Sequence, residues 1–396
     1  MRTGLERLSS LPALVETLVA SRVGLLAHPA SVTRELTHAR DVLEDLGIVP
    51  RVLFGPEHGW AGQAQDMIGV ANVGSDRGPR IVSLYGESYA DLSPKRADLE
   101  GLDVVIVDLQ DVGARYYTFV WTAVLVARAC RDAGVRVVVL DRPNPLGGRA
   151  IEGRLQEPRF RSFVGLEDVP IRHGFSIGEI VAWRADVEGF ADRVEVVGFD
   201  GIDGASHASA WDRPFVMPSP NMPTYETALV YPGGCLLEGT NLSDGRGLTR
   251  PFEITGAPWV DGKKLAANLT ALGLPGFIAR PLSFEPTFHK HQKKMCGGVQ
   301  IHVTDANVFR PVATYVALIA LAHHAHAADF RFRTERYEFV DDIPAFDLLT
   351  GSRDARERIL KGDDPLAIAE SASRVGPAEL AVVENVRAAR ARARWT

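Results

Sequence analysis

Short, almost continuous apolar runs alternate with helical segments through the first half of the chain, and this alternation constrains the fold most strongly. The runs occupy residues 23–27, 51–55, 80–84, 103–109 and 135–141. Uninterrupted apolar runs of this length are typical of parallel strands that are covered on both faces of a sheet. Residues 36–46 and 118–133 have helical apolar spacing, and Gly134 supplies a helix end. The repeated βαβ pattern predicts an α/β fold with a doubly wound, Rossmann-like parallel sheet.

The chain length and the proline distribution predict two domains. At 396 residues the chain exceeds the roughly 100–200 residues of an ordinary domain. After an apolar run at 194–199, a passage at 214–232 contains the sequence PSPNMP, which disfavours both a helix and a central strand. A strand signal at 298–304 and a helical segment at 311–326 follow. We predict a Rossmann-like domain at 1–225, which carries the main catalytic candidates, and a smaller α+β domain at 226–396.

Composition and charge restrict the possible partners and the compartment. The formal charge is −6, and lysine and arginine are scattered, so a nucleic acid partner is not expected. Three cysteines without a CxxC pair favour a reducing compartment. Apolar runs are far shorter than the ~20 residues that span a bilayer, and Glu6 and Glu16 interrupt any signal-like stretch. We expect a cytoplasmic protein with no membrane partner; the residues do not identify a partner protein.

The loop after the second apolar run carries the strongest catalytic candidate. The sequence Pro56-Glu57-His58-Gly59-Trp60 places a carboxyl group and an imidazole at the carboxyl end of a predicted strand. In parallel sheets, ligands bind beyond these strand ends. A glutamate desolvated beside an apolar ring such as that of Trp60 is suited to general-acid catalysis. The alternative is a structural role for Glu57, in which its charge complements a helix dipole.

Two further strands end in polar loops that are expected at the same edge. The loop at 110–118 contains Asp111, Arg115 and Tyr117, and the loop at 141–148 contains Asn144. A guanidinium can bind a substrate carboxylate with two hydrogen bonds, and tyrosine hydroxyls can bind sugar oxygens. The alternative is an internal Asp–Arg pair that fixes the loop.

The second half contributes a ligand-like stretch at 237–253. It contains Glu238, Asn241, Arg246 and Arg250, and the preceding proline-rich passage contains Asn221. Gly245 and Gly247 would allow the backbone to approach a ligand closely, and the two arginines supply positive charge. This combination fits an anionic, hydroxylated ligand.

Neither a metal nor a cofactor is expected. His323 and His326 share a helix face without an HExxH motif, and His289 and His291 fit a ligand-binding loop or the surface better than a metal site. No GxGxxG motif follows the first apolar run, so the nucleotide-binding fingerprint of Rossmann enzymes is absent from the sequence.

Taken in order, these loops resemble those of the NamZ-type exo-β-N-acetylmuramidases, glycosidases of peptidoglycan turnover. The resemblance extends from about residue 23 to 351 and rests on the sequences LFGPEHG, DLQDVGARYYT, VLDRPNPLGG, SFVG, PSPNMPT, LLEGTNLSDGRGLTRPFE, GAPW and FDLLTG. It implies a Rossmann-like domain, a smaller α/β domain and an active-site cleft between them. It also implies release of terminal N-acetylmuramic acid from the non-reducing end of peptidoglycan fragments, with the glutamate of the PEHG motif, Glu57, as the catalytic acid.

The resemblance leaves the second catalytic group open. Asp111 and Glu238 are candidates, and a mechanism that uses the N-acetyl group of the substrate needs neither as nucleophile. Arg115, Arg246 and Arg250 are candidates for the lactyl carboxylate of muramic acid. The remaining candidates for contacts with the saccharide are His58, Tyr117, Asn144, Asn221 and Asn241.

Three departures from the usual family pattern support an alternative. The chain has Ala61 where arginine is common, His28-Pro29-Ala30 where a turn containing Thr-Asn is usual, and Leu248 in place of threonine. The alternative is a non-catalytic or altered-specificity protein that binds amino sugars.

Overall fold

The structure is a computed structural model that describes residues 1–62 and 78–396. Its strands are β1 (Val23–Ala27), β2 (Pro50–Gly55), β3 (Arg80–Ser83), β4 (Val104–Asp108), β5 (Arg136–Leu140), β6 (Val194–Val197), β7 (Ile254–Ala257), β8 (Phe277–Phe284), β9 (Cys296–Val303) and β10 (Arg394–Trp395). Its helices are α1 (Gly4–Arg7), α2 (Pro12–Val19), α3 (Ala39–Asp45), α4 (Arg96–Leu99), α5 (Phe119–Ala133), α6 (Ile177–Val187), α7 (Tyr225–Gly234), α8 (Gly262–Ala271), α9 (Pro311–Ala325), α10 (Ala345–Thr350), α11 (Asp354–Lys361), α12 (Pro365–Ser373) and α13 (Pro377–Arg392).

Seven strands form one parallel sheet in the order β10-β6-β5-β4-β1-β2-β3. The strand order reverses between β1 and β4, which pair with Val23 opposite Val104 and Leu26 opposite Val107. This is the doubly wound arrangement, so the Rossmann-like prediction is confirmed. A ligand cleft is expected at the carboxyl ends of β1 and β4, where the chain leaves the sheet towards opposite sides.

The apolar runs form these strands because both faces of the sheet are covered. Every residue of β1 and β4 is buried. Leu26 and Val105 pack on the side of α5, whereas Leu25 and Ile106 pack on the side of α1–α3. Helix α5 ends at Gly134, whose left-handed φ of 74° suits glycine.

The second half is built on a smaller antiparallel sheet with the order β7-β9-β8. The predicted strand at 298–304 falls within β9 apart from its last residue, and the predicted helix at 311–326 is α9. The proline-rich passage is irregular as far as Thr224, which caps α7, and Pro232 then lies inside that helix. The predicted combination of a parallel α/β unit and a smaller α+β unit is confirmed.

The chain returns to the large sheet after residue 376. Helix α13 packs against α6. Strand β10 pairs in parallel with β6, with Arg394 opposite Glu195 and Trp395 opposite Val196. The segment that follows the smaller unit is therefore spatially part of the first unit, and the division at 225/226 remains a prediction. Across the described ranges, no helix is both long and apolar enough to cross a membrane.

Candidate active site

A cavity opens beyond the carboxyl ends of β2 and β4, with roughly 480 Å³ of space between its walls, part of which is open to solvent. Residues 57–58 follow β2, and residues 116–118 lie in the loop after β4. Ser219, Asn221 and Met222 of the proline-rich passage form another wall. The second half supplies Glu238, Arg246, Phe252 and Tyr337. The cavity therefore lies where the two halves of the chain meet, as the sequence predicted for the cleft.

Glu57 is placed by a tight turn at the end of β2. A Cβ atom at Gly55 would lie 2.3 Å from the backbone nitrogen of Trp60, so this turn requires glycine. Glu57 is 8% exposed, and Thr118 Oγ1 donates a 2.5 Å hydrogen bond to its Oε2. His58 Nε2 lies 3.9 Å from the other carboxyl oxygen. Trp60 packs edge-on against His38, with ring centroids 5.5 Å apart.

Glu238 faces the same cavity and accepts hydrogen bonds from three side chains, one of which is the Cys235 thiol, 3.6 Å from Oε1. Arg246 Nη2 donates to Oε1 at 2.8 Å, and the Tyr337 hydroxyl donates to Oε2 at 2.7 Å. Burial raises the pKa of Tyr337 well above its usual value, which keeps this hydroxyl protonated as a donor. The Arg246 guanidinium also lies over the Phe252 ring, 5.0 Å from its centroid. Together these hydrogen bonds orient the carboxyl group of Glu238.

Asp244 connects Arg246 to a neighbouring loop. Its side chain is fully buried, 3.2 Å from Arg246 Nη1 and 3.3 Å from Lys290 Nζ. Burial alone would raise the pKa of Asp244, but the charges of Lys290 and Arg246 hold it well below the usual value. Gly245 and Gly247 have left-handed φ angles, and added Cβ atoms would meet the carbonyl oxygens of Ile254 and Phe288. Here the glycines permit close approach to neighbouring backbone, whereas the sequence suggested approach to a ligand.

Six of the predicted site residues line the cavity. They are Glu57, His58, Tyr117, Asn221, Glu238 and Arg246. Burial raises the pKa of Tyr117 well above its usual value, so this phenol stays neutral beside the carboxyl groups.

Asp111 and Arg115 do not reach the cavity. Asp111 Oδ2 accepts a hydrogen bond from the Gly113 backbone nitrogen at 2.8 Å and lies 3.3 Å from His173 Nε2. Arg115 is completely buried, and its guanidinium donates to the carbonyl oxygens of residues 154, 169 and 349. Burial lowers the pKa of Arg115 to about 10. Both side chains fix the local chain instead of facing the cleft.

Asn144, Asn241 and Arg250 also lie outside the cavity. Asn144 donates to the Phe175 carbonyl and accepts from the Leu146 backbone nitrogen. Asn241 joins residues 329 and 331 through its side-chain amide. Arg250 is partly exposed, 3.5 Å from both Thr224 Oγ1 and Glu253 Oε1.

Sequence reasoning missed three residues that shape the site. Thr118 was part of the polar loop but was not singled out, and Tyr337 lies in a segment without a motif. His28 is the third: Gln110 donates its backbone N–H to His28 Nε2 at 3.0 Å, and Nδ1 lies 3.2 Å from the Pro218 carbonyl oxygen. Burial, followed by the charge of Arg142, lowers the pKa of His28 to about 3. The neutral ring therefore attaches the proline-rich wall to the end of β1.

The potential ligands of a metal ion are not clustered in the described part of the chain. Within residues 1–62 and 78–396, no group of three or more histidine, cysteine, aspartate or glutamate side chains is arranged to hold an ion. The absence of a metal requirement remains a prediction.

Two domains of one known protein family match almost the whole chain. The N-terminal domain of exo-β-N-acetylmuramidase NamZ matches residues 23–226, and its C-terminal domain matches residues 229–375. The chain belongs to the NamZ family. The resemblance inferred from the loop motifs is thereby confirmed.

Individual relatives agree with this assignment. The peptidoglycan β-N-acetylmuramidase NamZ of Bacillus subtilis (strain 168) is 39% identical over 365 residues, which cover 91% of this chain and 85% of the relative. Two crystal structures of DUF1343 family proteins from Bacteroides fragilis NCTC 9343 share the fold of the NamZ-family chain. One has a TM-score of 0.83 at 28% identity, covering 98% of this chain and 97% of its own. The other has a TM-score of 0.72 at 25% identity, covering 98% of each chain.

Proposed function

We propose that this NamZ-family chain is an exo-β-N-acetylmuramidase that releases terminal N-acetylmuramic acid from the non-reducing end of peptidoglycan fragments. The observation that carries the proposal is that Glu57 and Glu238 line one cavity with different partners. Glycoside hydrolysis commonly uses two carboxyl groups, one of which protonates the leaving oxygen. The B. subtilis relative is a peptidoglycan β-N-acetylmuramidase, which supports the same class of reaction.

Glu57 is the proposed general acid. It lies at a strand end, almost buried, and its nearest polar partners are the neutral Thr118 hydroxyl and the His58 imidazole. As a general acid, Glu57 must carry a proton on its carboxyl group at the start of the reaction. In the proposed step, this proton passes to the glycosidic oxygen as the bond to the muramic acid anomeric carbon breaks.

Glu238 is the proposed second group. The bonds from Arg246 and Tyr337 hold its oxygens in place as acceptors facing the cavity. A carboxylate in this position can stabilise the positive charge that develops on the sugar, activate water or attack the anomeric carbon. Asp111 is not retained for this role because its carboxylate is engaged outside the cavity.

Recognition of the sugar is assigned to the remaining lining residues. Of the three candidate arginines, Arg246 faces the cavity, so it is the proposed partner for the lactyl carboxylate. Tyr117 and Asn221 offer a hydroxyl and an amide for sugar oxygens.

The proposed setting is recycling of wall fragments in the cytoplasm. Cys130, Cys235 and Cys296 are all buried free thiols, which is compatible with a reducing compartment. Detection of the native protein by cell fractionation tests this setting.

The decisive experiment is incubation with synthetic muramyl-glucosamine disaccharide and identification of the products by mass spectrometry. Equimolar N-acetylmuramic acid and N-acetylglucosamine are expected, in EDTA as well as in buffer. Proton NMR of the first-formed muramic acid anomer separates retention from inversion. Binding without turnover would overturn the proposal in favour of a non-catalytic sugar-binding protein.

A further inference from the structure

A second cavity adjoins the active site through one stretch of chain. Glu238 faces the active site, whereas Thr240 and Asn241, two and three residues later, line the second cavity. The space between its walls is roughly 850 Å³, part of which is open to solvent, and no residue that the proposed reaction uses lines it. We call it the basic cavity because its ionisable lining residues are His289, Lys290, His291, Arg331, Arg333 and Glu335.

Positive charge predominates in the basic cavity, although the chain as a whole is acidic at −6. Lys290 is compensated by Asp244, and burial lowers the pKa of His291, whose Nε2 lies 2.6 Å from the Asn241 carbonyl oxygen. Arg331 Nη1 donates to the Phe330 carbonyl at 2.6 Å. The same Nη1 also lies 3.4 Å from the Ala327 carbonyl oxygen, so the guanidinium contacts carbonyl oxygens. A carbonyl does not neutralise this charge, so Arg331 is a donor suited to an anion.

The loop that forms one wall of the basic cavity has an unusual backbone. His289, His291 and Lys293 have φ angles of 68°, 57° and 57°, in the left-handed region that residues other than glycine seldom adopt. Such strained conformations concentrate at functional sites. The loop is fixed at its start and in its middle: Thr287 donates its backbone N–H to the Gly247 carbonyl, and Lys290 Nζ donates to the Leu237 carbonyl.

One buried carboxylate connects this cavity to the active site. Asp244 contacts Lys290 of the basic cavity and Arg246 of the active site, and Arg246 in turn holds Glu238. The two cavities therefore share a charge network and a chain segment. A ligand with groups in both would contact one continuous side of the second half of the molecule.

We propose that the basic cavity binds a carboxylate carried by the leaving part of the substrate, beyond the glycosidic bond that is cleaved. The inference rests on the proposed function, which defines the leaving part as a saccharide fragment. Its carboxylate belongs either to a further lactyl-bearing sugar or to an attached acidic peptide. Arg331 is the proposed charge partner, and the strained loop shapes the opposite wall.

The test measures binding without requiring turnover. Isothermal calorimetry compares the disaccharide glucosaminyl-muramic acid, an acidic tripeptide without sugar, and the uncharged disaccharide of two N-acetylglucosamines. The variants are Arg331→Glu, Arg331→Gln and a matched control, Arg336→Glu. Arg336 is exposed on the same segment, 3.7 Å from Asp341, and does not line the basic cavity.

Both Arg331 variants are expected to bind the carboxylate-bearing ligand at least about tenfold more weakly, since charged hydrogen bonds are typically worth this factor or more. Their affinity for the uncharged disaccharide and their melting temperatures should match those of the control. If only glucosaminyl-muramic acid loses affinity, the carboxylate comes from a sugar. If only the acidic tripeptide loses affinity, it comes from a peptide. Equal loss in Arg336→Glu, absence of binding to wild type, or equally strong binding of inorganic phosphate would overturn the inference.

Turnover separates this inference from the proposed function. On a muramyl-glucosamine tetrasaccharide, whose leaving part carries a carboxylate, Arg331→Glu should raise KM about tenfold. On the disaccharide, whose leaving part is neutral, KM should not change. Wild-type protein that binds the acidic probe through Arg331 but cleaves neither substrate would overturn only the proposed function, and equal KM values for the tetrasaccharide would overturn only the inference.

Discussion

Glu57 and Glu238 lie in the same cavity, but they belong to two regions that hold a carboxyl group in different ways. Glu57 stands at the edge of the parallel sheet beside a neutral hydroxyl. Glu238 stands in the second half within a buried network that contains Arg246, Asp244 and Lys290. The first carboxyl group accepts a hydrogen bond from a neutral hydroxyl, whereas the second accepts hydrogen bonds from a guanidinium and a phenol. Two similar side chains can therefore perform different tasks in one reaction.

The largest expected effect is on turnover by Glu57→Gln. An amide cannot donate the proton that the leaving oxygen needs, and general acid catalysis is typically worth about 10²- to 10⁴-fold. We expect a loss of this size in kcat/KM for the disaccharide and a much smaller loss for a substrate with an activated leaving group. Turnover of the disaccharide near the wild-type rate would remove Glu57 from the acid role.

Glu238→Gln sharpens the comparison because it should also affect folding. The change removes one partner of a buried ion pair, for which the typical cost is about 3–5 kcal/mol. Denaturant unfolding should show this loss for Glu238→Gln, whereas Glu57→Gln should change the free energy of unfolding by less than about 1 kcal/mol. Equal stability of the two variants would mean that the regions do not differ in the way described.

Thr118→Val tests the neutral partner of Glu57. The substitution preserves shape and removes the hydroxyl that donates to Oε2. We expect roughly a 10-fold or greater fall in kcat with little change in KM, since hydrogen bonds to charged groups are worth about 1.5–3 kcal/mol. The basic limb of the pH–rate profile, which reports loss of the proton from the general acid, should also move. Thr118→Ser should restore both kcat and the profile. If kcat stays low in Thr118→Ser, the effect of Thr118→Val comes from side-chain packing and not from the hydroxyl.

At neutral pH the smallest expected effect is that of His28, whose contribution to stability appears only in acid. Its pKa is about 3 in the fold, against 6.5 as the ordinary value, so the unfolded chain takes up the proton first. The stabilisation is complete above about pH 6.5 and declines by about 1.4 kcal/mol per pH unit towards pH 3. The amide of His28→Gln can make both hydrogen bonds without titrating. Urea unfolding at a series of pH values should therefore show a weaker pH dependence of the free energy of unfolding for His28→Gln than for wild type. The same pH dependence in both proteins would contradict the role assigned to His28.

The sheet and the position of the cleft followed from the sequence for a simple reason. Apolar runs without alternation specify strands buried on both faces, and the carboxyl ends of parallel strands meet at one edge. This rule correctly predicted that Glu57 and Tyr117 line the cavity. It could not predict the direction of each side chain: Arg115 lies two residues before Tyr117, yet its guanidinium donates to backbone carbonyls. Tyr337, about a hundred residues after Glu238, became a neighbour through tertiary packing that no local pattern encodes.

The pairing of β10 with β6 has a consequence for how the protein is made. Thr396 and Val196, which bond through this edge, are 200 residues apart in the chain. During translation, the β6 edge leaves the ribosome well before the strand that covers it, and exposed strand edges favour association with other chains. A fragment ending at residue 225 would retain that open edge permanently. Tags or truncations after α13 are thus expected to lower the soluble yield before they alter the chemistry of the distant cavity.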